Sequence, residues 1–167
     1  MHHHPLHIEN KRGWYLIKKK VTNENIFQIM DVHSKETRSY NMSRIKGKNT
    51  KPEILVRKYL FSQGFRYRLY CKDLPGKPDI VLPKYRTVIF IHGCFWHGHE
   101  ECRYFVTPKT RTEWWIEKIN ANKENDKKNS KLLQKMGWNV IIIWECYLKK
   151  KEKEEILLKI SEELKNK

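Results

Sequence analysis

Residues 90–102, FIHGCFWHGHEEC, place several side chains that could do chemistry within one short segment. Thiols and imidazoles are metal ligands, and imidazoles also carry protons near neutral pH. Cys94, His99 and Cys102 are separated by four and then two residues, and Cys146 follows a later apolar run. Short spacing lets one loop wrap around an ion while a distant strand end supplies the fourth ligand. These four residues are therefore a candidate tetrahedral Zn²⁺ site.

The role that we infer for this zinc is structural, because four protein ligands leave no coordination position for water or substrate. Cys71 competes with Cys146 for the fourth position. An alternative is that Cys146 is a small core residue and that the loop histidines only face solvent. The spacing favours the zinc site and leaves both alternatives open.

A carboxylate and an imidazole are predicted to face each other next to this loop. Asp79 starts the run DIVL and His92 ends the run TVIFIH. If the four residues PKYR between the runs form a hairpin loop, Leu82 pairs with Thr87. Asp79 then lies opposite Phe90, and His92 lies two residues further along on the same face. This inference depends on register, because a slip of one residue would separate the two side chains.

Such a pair could bind Mg²⁺ and activate water for attack on a phosphodiester. His97, five residues after His92, adds a third side chain of this kind. Taken singly, Asp79 also fits turn chemistry before a strand, and His92 fits an ordinary strand end. Glu53 has capping-box spacing from Thr50, which explains it in structural terms. A role for Glu53 beside a metal-bound water is the second interpretation.

The elements that must position these residues follow from periodicity and turn signals. Helices are predicted at 51–63, 112–136 and 152–165, and strands at 65–70, 79–82, 87–92 and 138–144. This order predicts an α/β fold in which helices flank a sheet. Residues 1–30 are polar, basic and without periodicity, so we expect an N-terminal extension outside the fold. Residues 31–167 are predicted to form a single domain.

The charge is strongly unbalanced, with 35 Lys and Arg against 19 Asp and Glu and a formal net charge of +16. Basic residues alternate with aromatic ones at 57–70 and 108–115, a pattern typical of nucleic-acid surfaces. The mixed-sign segment 149–167 instead suits a solvated surface. No apolar stretch approaches the ~20 residues of a membrane span. We expect a cytoplasmic, reducing location, where cysteines indicate metal binding before disulfides.

Taken together, these segments resemble the very short patch repair (Vsr) endonucleases, which nick DNA at T·G mismatches left by deamination of 5-methylcytosine. The resemblance covers about residues 31–150, through the segments 31–53, 74–82, 88–102, 108–129 and 137–146. It implies a restriction-endonuclease-like core with a central mixed β-sheet flanked by helices and a structural zinc site. Family members usually start close to the segment that begins at Asp31, so the resemblance also makes Met30 a candidate start.

The resemblance also implies roles for the residues of the candidate catalytic site. Asp79 would be a ligand of Mg²⁺, His97 the general base, and His92 an assisting group at the phosphate. Glu53 would lie beside a metal-bound water. The family often has threonine immediately before its first histidine, where this chain has Ile91. That difference is compatible with Mg²⁺ binding if the contact is made by the backbone carbonyl of Ile91.

The aromatic residues resemble those that family members insert into DNA. Phe95 and Trp96 would enter beside the mismatch from the major groove, and Trp115 would complete this wedge. Met42, on an N-terminal helix, would enter from the minor groove. Unstacking is easier beside a pair that is already mismatched, so intercalation itself favours damaged DNA.

Helical spacing adds two further candidates for DNA contact. Trp115, Lys118 and Asn122 are three and four residues apart and so share one helix face. Lys118 and Asn122 would therefore be placed to contact the edges of the T·G pair beside the wedge. Trp114, on a different part of the helix surface, is predicted to pack in the core.

The expected partner is double-stranded DNA with a T·G mismatch, bound by a monomer, with mismatch-repair proteins as candidate contacts. A non-catalytic, zinc-stabilised DNA-binding module would explain the charge, the cysteines and the aromatics, but it gives no reason for Asp79 and His97. Another nuclease of the same fold would share Asp79 and would not need mismatch selectivity. Metal-dependent nicking and the comparison of mismatched with paired duplex separate these alternatives.

Overall fold

The computed structural model describes residues 34–45, 47–149 and 153–166, which fall into two units divided after Ile45. The predicted extension, residues 1–30, lies outside the described residues. The first unit contributes helix α1 (Lys35–Ser43), which begins where the Ser34 hydroxyl accepts a hydrogen bond from the Thr37 amide at 3.2 Å. Met42 lies on this helix, and its side chain is exposed.

The second unit begins with helix α2 (Lys51–Ser62), and its start confirms the predicted capping box. The Thr50 hydroxyl accepts a hydrogen bond from the Glu53 amide, and the Glu53 carboxylate accepts one from the Thr50 amide, both at 3.4 Å. Each side chain thus satisfies a backbone donor that the helix leaves open. Gly64, with a positive φ of 86°, follows the end of the helix as predicted.

Within the described residues, three strands form one sheet in the order β1 (Ile80–Leu82), β2 (Thr87–His92) and β3 (Asn139–Trp144). β1 pairs antiparallel with β2, and Leu82 lies opposite Thr87, which confirms the predicted hairpin register. The turn between them is a single 3₁₀ turn closed by Arg86 in the left-handed region. β2 pairs parallel with β3, so the sheet is mixed and the α/β prediction is confirmed.

The predicted strand at 65–70 is wrong for most of its length. Only Arg68 pairs with the sheet, through hydrogen bonds in both directions with Val81 at 2.7 and 2.9 Å. Two features limit the pairing to this one bridge. β1 has only three residues, and Tyr70 turns the chain away through a positive φ of 55°.

Helices cover both faces of the sheet, because alternate strand residues are buried on opposite sides. Ile80, Leu82 and Ile89 pack with residues of α2 and of α4 (Lys153–Lys165). Val81 and Val88 pack on the other face with Leu133 of α3 (Thr112–Lys135). Burial on both faces explains why these strands are continuously apolar. None of the helices in the described ranges has the length and apolar character that crossing a bilayer requires.

Candidate active site and metal centre

One edge of the sheet brings the candidate catalytic residues together. β1 runs antiparallel to β2 and β3, so the start of β1 lies beside the ends of the other two strands. Asp79 immediately precedes β1, and its Oδ2 accepts a hydrogen bond of 2.7 Å from the Ile91 amide. His92 is the last residue of β2 and pairs with Trp144. The carboxylate is therefore fixed next to the end of the strand that carries the histidine.

The imidazoles of His92 and His97 stack on each other, with ring centroids 3.8 Å apart and an interplanar angle of 8°. His97 Nδ1 lies 2.6 Å from Asp126 Oδ2, on helix α3. The ligand atoms of these three side chains all lie within 4.8 Å of one another. The carboxylate of Asp126 thus orients His97 and selects the tautomer that leaves Nε2 free to accept a proton.

The protonation of this edge follows from burial and from neighbouring charges. Burial, followed by the charge of His97, lowers the pKa of His92 to about 4, against an opposing effect of Asp126. His92 is therefore neutral near pH 7 and can donate one hydrogen bond and accept another. Burial and the negative charge of Glu53 raise the pKa of Asp79, while its bond from the Ile91 amide opposes them. A cation at Asp79 would favour its ionised form.

Glu53 lies at the centre of a buried hydrogen-bond network next to this edge. Its Oε1 accepts a bond of 2.9 Å from the Thr50 hydroxyl, and its Oε2 accepts one of 3.0 Å from the Asn49 amide. The Arg57 guanidinium donates to the same Oε2 at 2.6 Å. The structure thus shows the capping role that the sequence favoured for Glu53. The same network fixes the Glu53 carboxylate, which acts electrostatically on Asp79.

The second group of candidate ligands consists of a histidine and three cysteines, whose ligand atoms all lie within 4.8 Å of one another: Cys94, His99, Cys102 and Cys146. Cys71 lies outside this group and packs against an apolar cluster of the core. The structure therefore places Cys146, and not Cys71, next to the other three candidate ligands.

The distances within this group fit a tetrahedral zinc ion. Zn–S and Zn–N bonds of about 2.3 and 2.0 Å that meet at a tetrahedral angle place sulfur and nitrogen about 3.5 Å apart. His99 Nδ1 lies 3.5 Å from Cys94 Sγ and 3.4 Å from Cys146 Sγ. Burial raises the pKa of Cys94 to about 12, so a bound cation is needed to hold this ligand as a thiolate.

Residues 93–102, which carry His97 and three of the candidate zinc ligands, form a compact loop that packs against α3. The His97 amide donates to the Gly93 carbonyl at 3.2 Å, and the His99 amide donates to the Cys94 carbonyl at 3.0 Å. Gly98 has a positive φ of 60°, and a Cβ at this position would come within 2.7 Å of a methyl group of Ile119. Glycine is therefore required where the loop turns from a candidate proton carrier to a candidate zinc ligand.

The three predicted wedge residues form one aromatic cluster. The ring centroid of Phe95 lies 5.2 Å from those of Trp96 and Trp115, and the two tryptophan rings are 5.9 Å apart. All three side chains are partly exposed. Lys118 is exposed on α3, and the Asn122 amide donates to the Trp96 carbonyl at 2.8 Å. The helix face predicted from spacing therefore lies beside the aromatic cluster.

The prediction that Trp114 packs in the core is wrong. Its side chain is 43% exposed, and the guanidinium of Arg111 lies 4.9 Å from the centre of its ring. Trp114 also contacts Trp115 edge to face, with centroids 4.7 Å apart. Trp114 and Trp115 in the first turn of α3 therefore contact each other, and Trp114 is open to solvent.

Two residues of the site were missed by the sequence reasoning, Asp126 and Arg57. Asp126 lies four residues after Asn122, on the same face of α3, so helical spacing could have found it. Arg57 lies four residues after Glu53, which is the spacing of an ion pair within a helix. The signal in both cases was a charged residue one helical turn from a candidate.

Comparison with known proteins places this chain in one family. The family described as DNA mismatch endonuclease Vsr matches residues 30–103, and the chain belongs to this family. The chain is 48% identical over 125 residues to the DNA mismatch endonuclease Vsr of Escherichia coli K12. That alignment covers 75% of this chain and 80% of the relative.

Two further relatives are described as type II nicking enzymes. V.NmeAIP of Neisseria meningitidis is 54% identical over 123 residues, which are 74% of this chain and 87% of the relative. V.XorIIP of Xanthomonas oryzae pv. oryzae is 50% identical over 120 residues, which are 72% of this chain and 88% of the relative. The family resemblance inferred from the sequence motifs is thereby confirmed.

Proposed function

We propose that this protein is a Mg²⁺-dependent DNA endonuclease that recognises a T·G mismatch arising from deamination of 5-methylcytosine. It nicks the strand on the 5′ side of the T. The names of the relatives, a DNA mismatch endonuclease and two nicking enzymes, support this assignment. The observation that carries it is the placement of Asp79, His92 and His97 at one edge of the sheet, beside a partly exposed aromatic cluster.

The donor set at this edge suits a hard cation. The Asp79 carboxylate and the backbone carbonyl of Ile91 would hold Mg²⁺, and Glu53 would accept a hydrogen bond from one of its waters. The bond from the Ile91 amide uses one oxygen of Asp79, so the second oxygen is the proposed ligand. Bound there, the cation supplies positive charge that stabilises the charge developing on the scissile phosphate.

The two stacked imidazoles, His92 and His97, have different roles in the reaction. His97 accepts the proton of the attacking water at Nε2, and Asp126 holds its Nδ1–H and stabilises the imidazolium that forms. His92, neutral at pH 7 because of its lowered pKa, donates a hydrogen bond to the phosphate. Stacking against His97 and edge contact with Trp144 keep the His92 ring in one orientation.

The zinc ion proposed at Cys94, His99, Cys102 and Cys146 has a structural role. It ties the loop to the end of β3, because three of its ligands lie on the loop and Cys146 follows the strand. The same loop carries His97 and two of the aromatic residues. Recognition of the mismatch and cleavage beside it would therefore depend on one rigid element.

The aromatic cluster would act as the wedge that opens the mismatched step. Phe95, Trp96 and Trp115 would insert from the major groove, with Lys118 and Asn122 at the edges of the T·G pair. Release of the Asn122 amide from the Trp96 carbonyl would make this side chain available to a base. Met42 would enter from the minor groove, and the excess of basic residues would hold the phosphates.

The experiment that tests this function compares cleavage of two duplexes that differ at one base pair, T·G and T·A, in several flanking sequences. We expect Mg²⁺-dependent nicking of the T·G duplex, with the break mapped to the 5′ side of the T by end labelling. Equal cleavage of both duplexes would identify a nuclease without mismatch selectivity. Binding without cleavage in any divalent metal would identify a DNA-binding module.

Replacing Trp96 with alanine tests the wedge. Stacking on a base contributes about 1–3 kcal/mol, so affinity for the T·G duplex should fall by about 5- to 150-fold. Affinity for the T·A duplex should change less, because insertion at a paired step is costly and basic residues hold both duplexes alike. The measurement is fluorescence anisotropy with labelled duplexes in the presence of Ca²⁺.

A second tryptophan provides the matched control for this variant. Trp138 packs against the core cluster of the sheet, beneath the guanidinium of Arg86. Trp138→Ala should lower the melting temperature and leave the preference for T·G over T·A unchanged. If Trp96→Ala behaves in the same way, the ring of Trp96 is a packing residue and not part of a wedge.

A further inference from the structure

Arg57 is a buried cation next to the proposed metal site, and no step of the proposed reaction uses it. Its side chain is only 8% exposed, and its Nη2 lies 2.6 Å from Glu53 Oε2. Nη1 donates to Asn49 Oδ1 at 2.7 Å, and the Tyr70 hydroxyl donates to the same oxygen at 2.5 Å. Arg57 also acts electrostatically on Asp79, in the opposite sense to Glu53.

The capping of α2 does not require Arg57. The start of α2 is already satisfied by the reciprocal bonds between Thr50 and Glu53. A buried ion pair gains little net stability, because desolvation of both charges offsets their attraction. Because desolvation offsets the attraction, the buried charge is better explained by a function in the site than by stability.

We propose that Arg57 is a positioning residue that fixes the Glu53 carboxylate and balances the charge of Glu53 and Asp79 before Mg²⁺ binds, thereby setting the affinity of the site for the metal. The inference rests on the proposed function, since it concerns the same metal. Glu53 raises the pKa of Asp79 and Arg57 lowers it, so the guanidinium offsets the effect of one carboxylate on the other in the metal-free protein. Once a divalent cation is bound, the positive charge of the guanidinium repels it and weakens its binding.

Removing the charge of the buried Arg57 is expected to tighten the binding of the metal. Replacing Arg57 with methionine keeps the apolar part of the side chain and removes its charge. The site should then bind a divalent cation more tightly, on the order of tenfold, because one repelling charge is gone from a partly desolvated region. Arg57→Lys keeps the charge and should bind the cation as wild type does.

The affinity is measured without DNA, on the full-length chain, by titrating Mn²⁺ and following the free ion by electron paramagnetic resonance at pH 8. Arg66, an exposed arginine that follows the end of α2, provides the matched control, and Arg66→Met should leave the affinity unchanged. The rise in melting temperature caused by MgCl₂ should be larger for Arg57→Met than for wild type.

The outcomes separate this inference from the proposed function. If Asp79→Asn abolishes Mn²⁺ binding and Arg57→Met tightens that binding while Arg57→Lys does not, Arg57 sets the affinity for the metal. If Asp79→Asn abolishes Mn²⁺ binding and folded Arg57→Met binds Mn²⁺ with unchanged or weaker affinity, the proposed function stands and the role of Arg57 is refuted. If wild type binds no Mn²⁺ that depends on Asp79, the metal site itself is refuted.

Discussion

Asp79→Asn is expected to reduce the rate of nicking a T·G duplex by about three orders of magnitude, since metal-ion catalysis supplies several kcal/mol to such reactions. Affinity for the duplex should be retained, because the side chain is a proposed metal ligand and not a phosphate anchor. The substitution is nearly isosteric and keeps an oxygen that can accept the bond from the Ile91 amide. Single-turnover cleavage and anisotropy binding measure the two quantities.

Two companion variants test the proton transfer at the same site. His97→Ala should lower the rate by about 10²- to 10⁴-fold, the usual contribution of a general base. Asp126→Asn should cost less than this, because the imidazole remains and only its orienting partner at 2.6 Å is changed. Rates near that of wild type in either Asp79→Asn or His97→Ala would contradict the catalytic assignment.

An exposed aspartate six residues before Asp79 controls for general effects of charge. Asp73 lies in the turn before β1, and Asp73→Asn changes the net charge of the protein by the same amount. This variant should cleave the T·G duplex at the wild-type rate. A comparable loss in Asp73→Asn would show that the effect of Asp79→Asn arises from the overall charge and not from the site.

Removal of the zinc is expected to abolish both DNA binding and cleavage. Structural metal binding is coupled to folding, so a strong chelator should unfold the loop that carries His97 and the aromatic cluster. Cys146→Ala should lower the melting temperature by on the order of 10 °C, as expected for a loss of several kcal/mol in a chain of this length. Elemental analysis of the purified protein should find one zinc per chain.

Cys71→Ala is the matched control, because Cys71 lies outside the group of four candidate ligands. This variant should keep its zinc, its mismatch binding and its cleavage, with only a small loss of stability from the apolar cluster. A folded and active wild-type protein without zinc would refute the structural role. Loss of zinc in Cys71→Ala and not in Cys146→Ala would show that Cys71, and not Cys146, is the fourth zinc ligand.

Much of the local structure could be predicted because neighbouring residues determine it. The capping box at Thr50 and Glu53 contains its own partners within one turn, and the strand at 87–92 is apolar enough to be buried on both faces. A four-residue connection limits the register of β1 against β2, which explains why Leu82 was correctly placed opposite Thr87. The strand wrongly predicted at 65–70 would have needed a longer partner in the sheet, and β1 has only three residues.

The sequence by itself determined the family, the elements of the sheet edge and the chemical types gathered there, because motif spacing and periodicity are properties of the chain. Only the tertiary structure decided that Cys146 and not Cys71 joins the cysteines of the loop, that Asp126 meets His97 and that Trp114 faces solvent. These facts depend on how α3 and the end of β3 pack around residues 93–102. Such packing is set by the whole core, and no local pattern contains it.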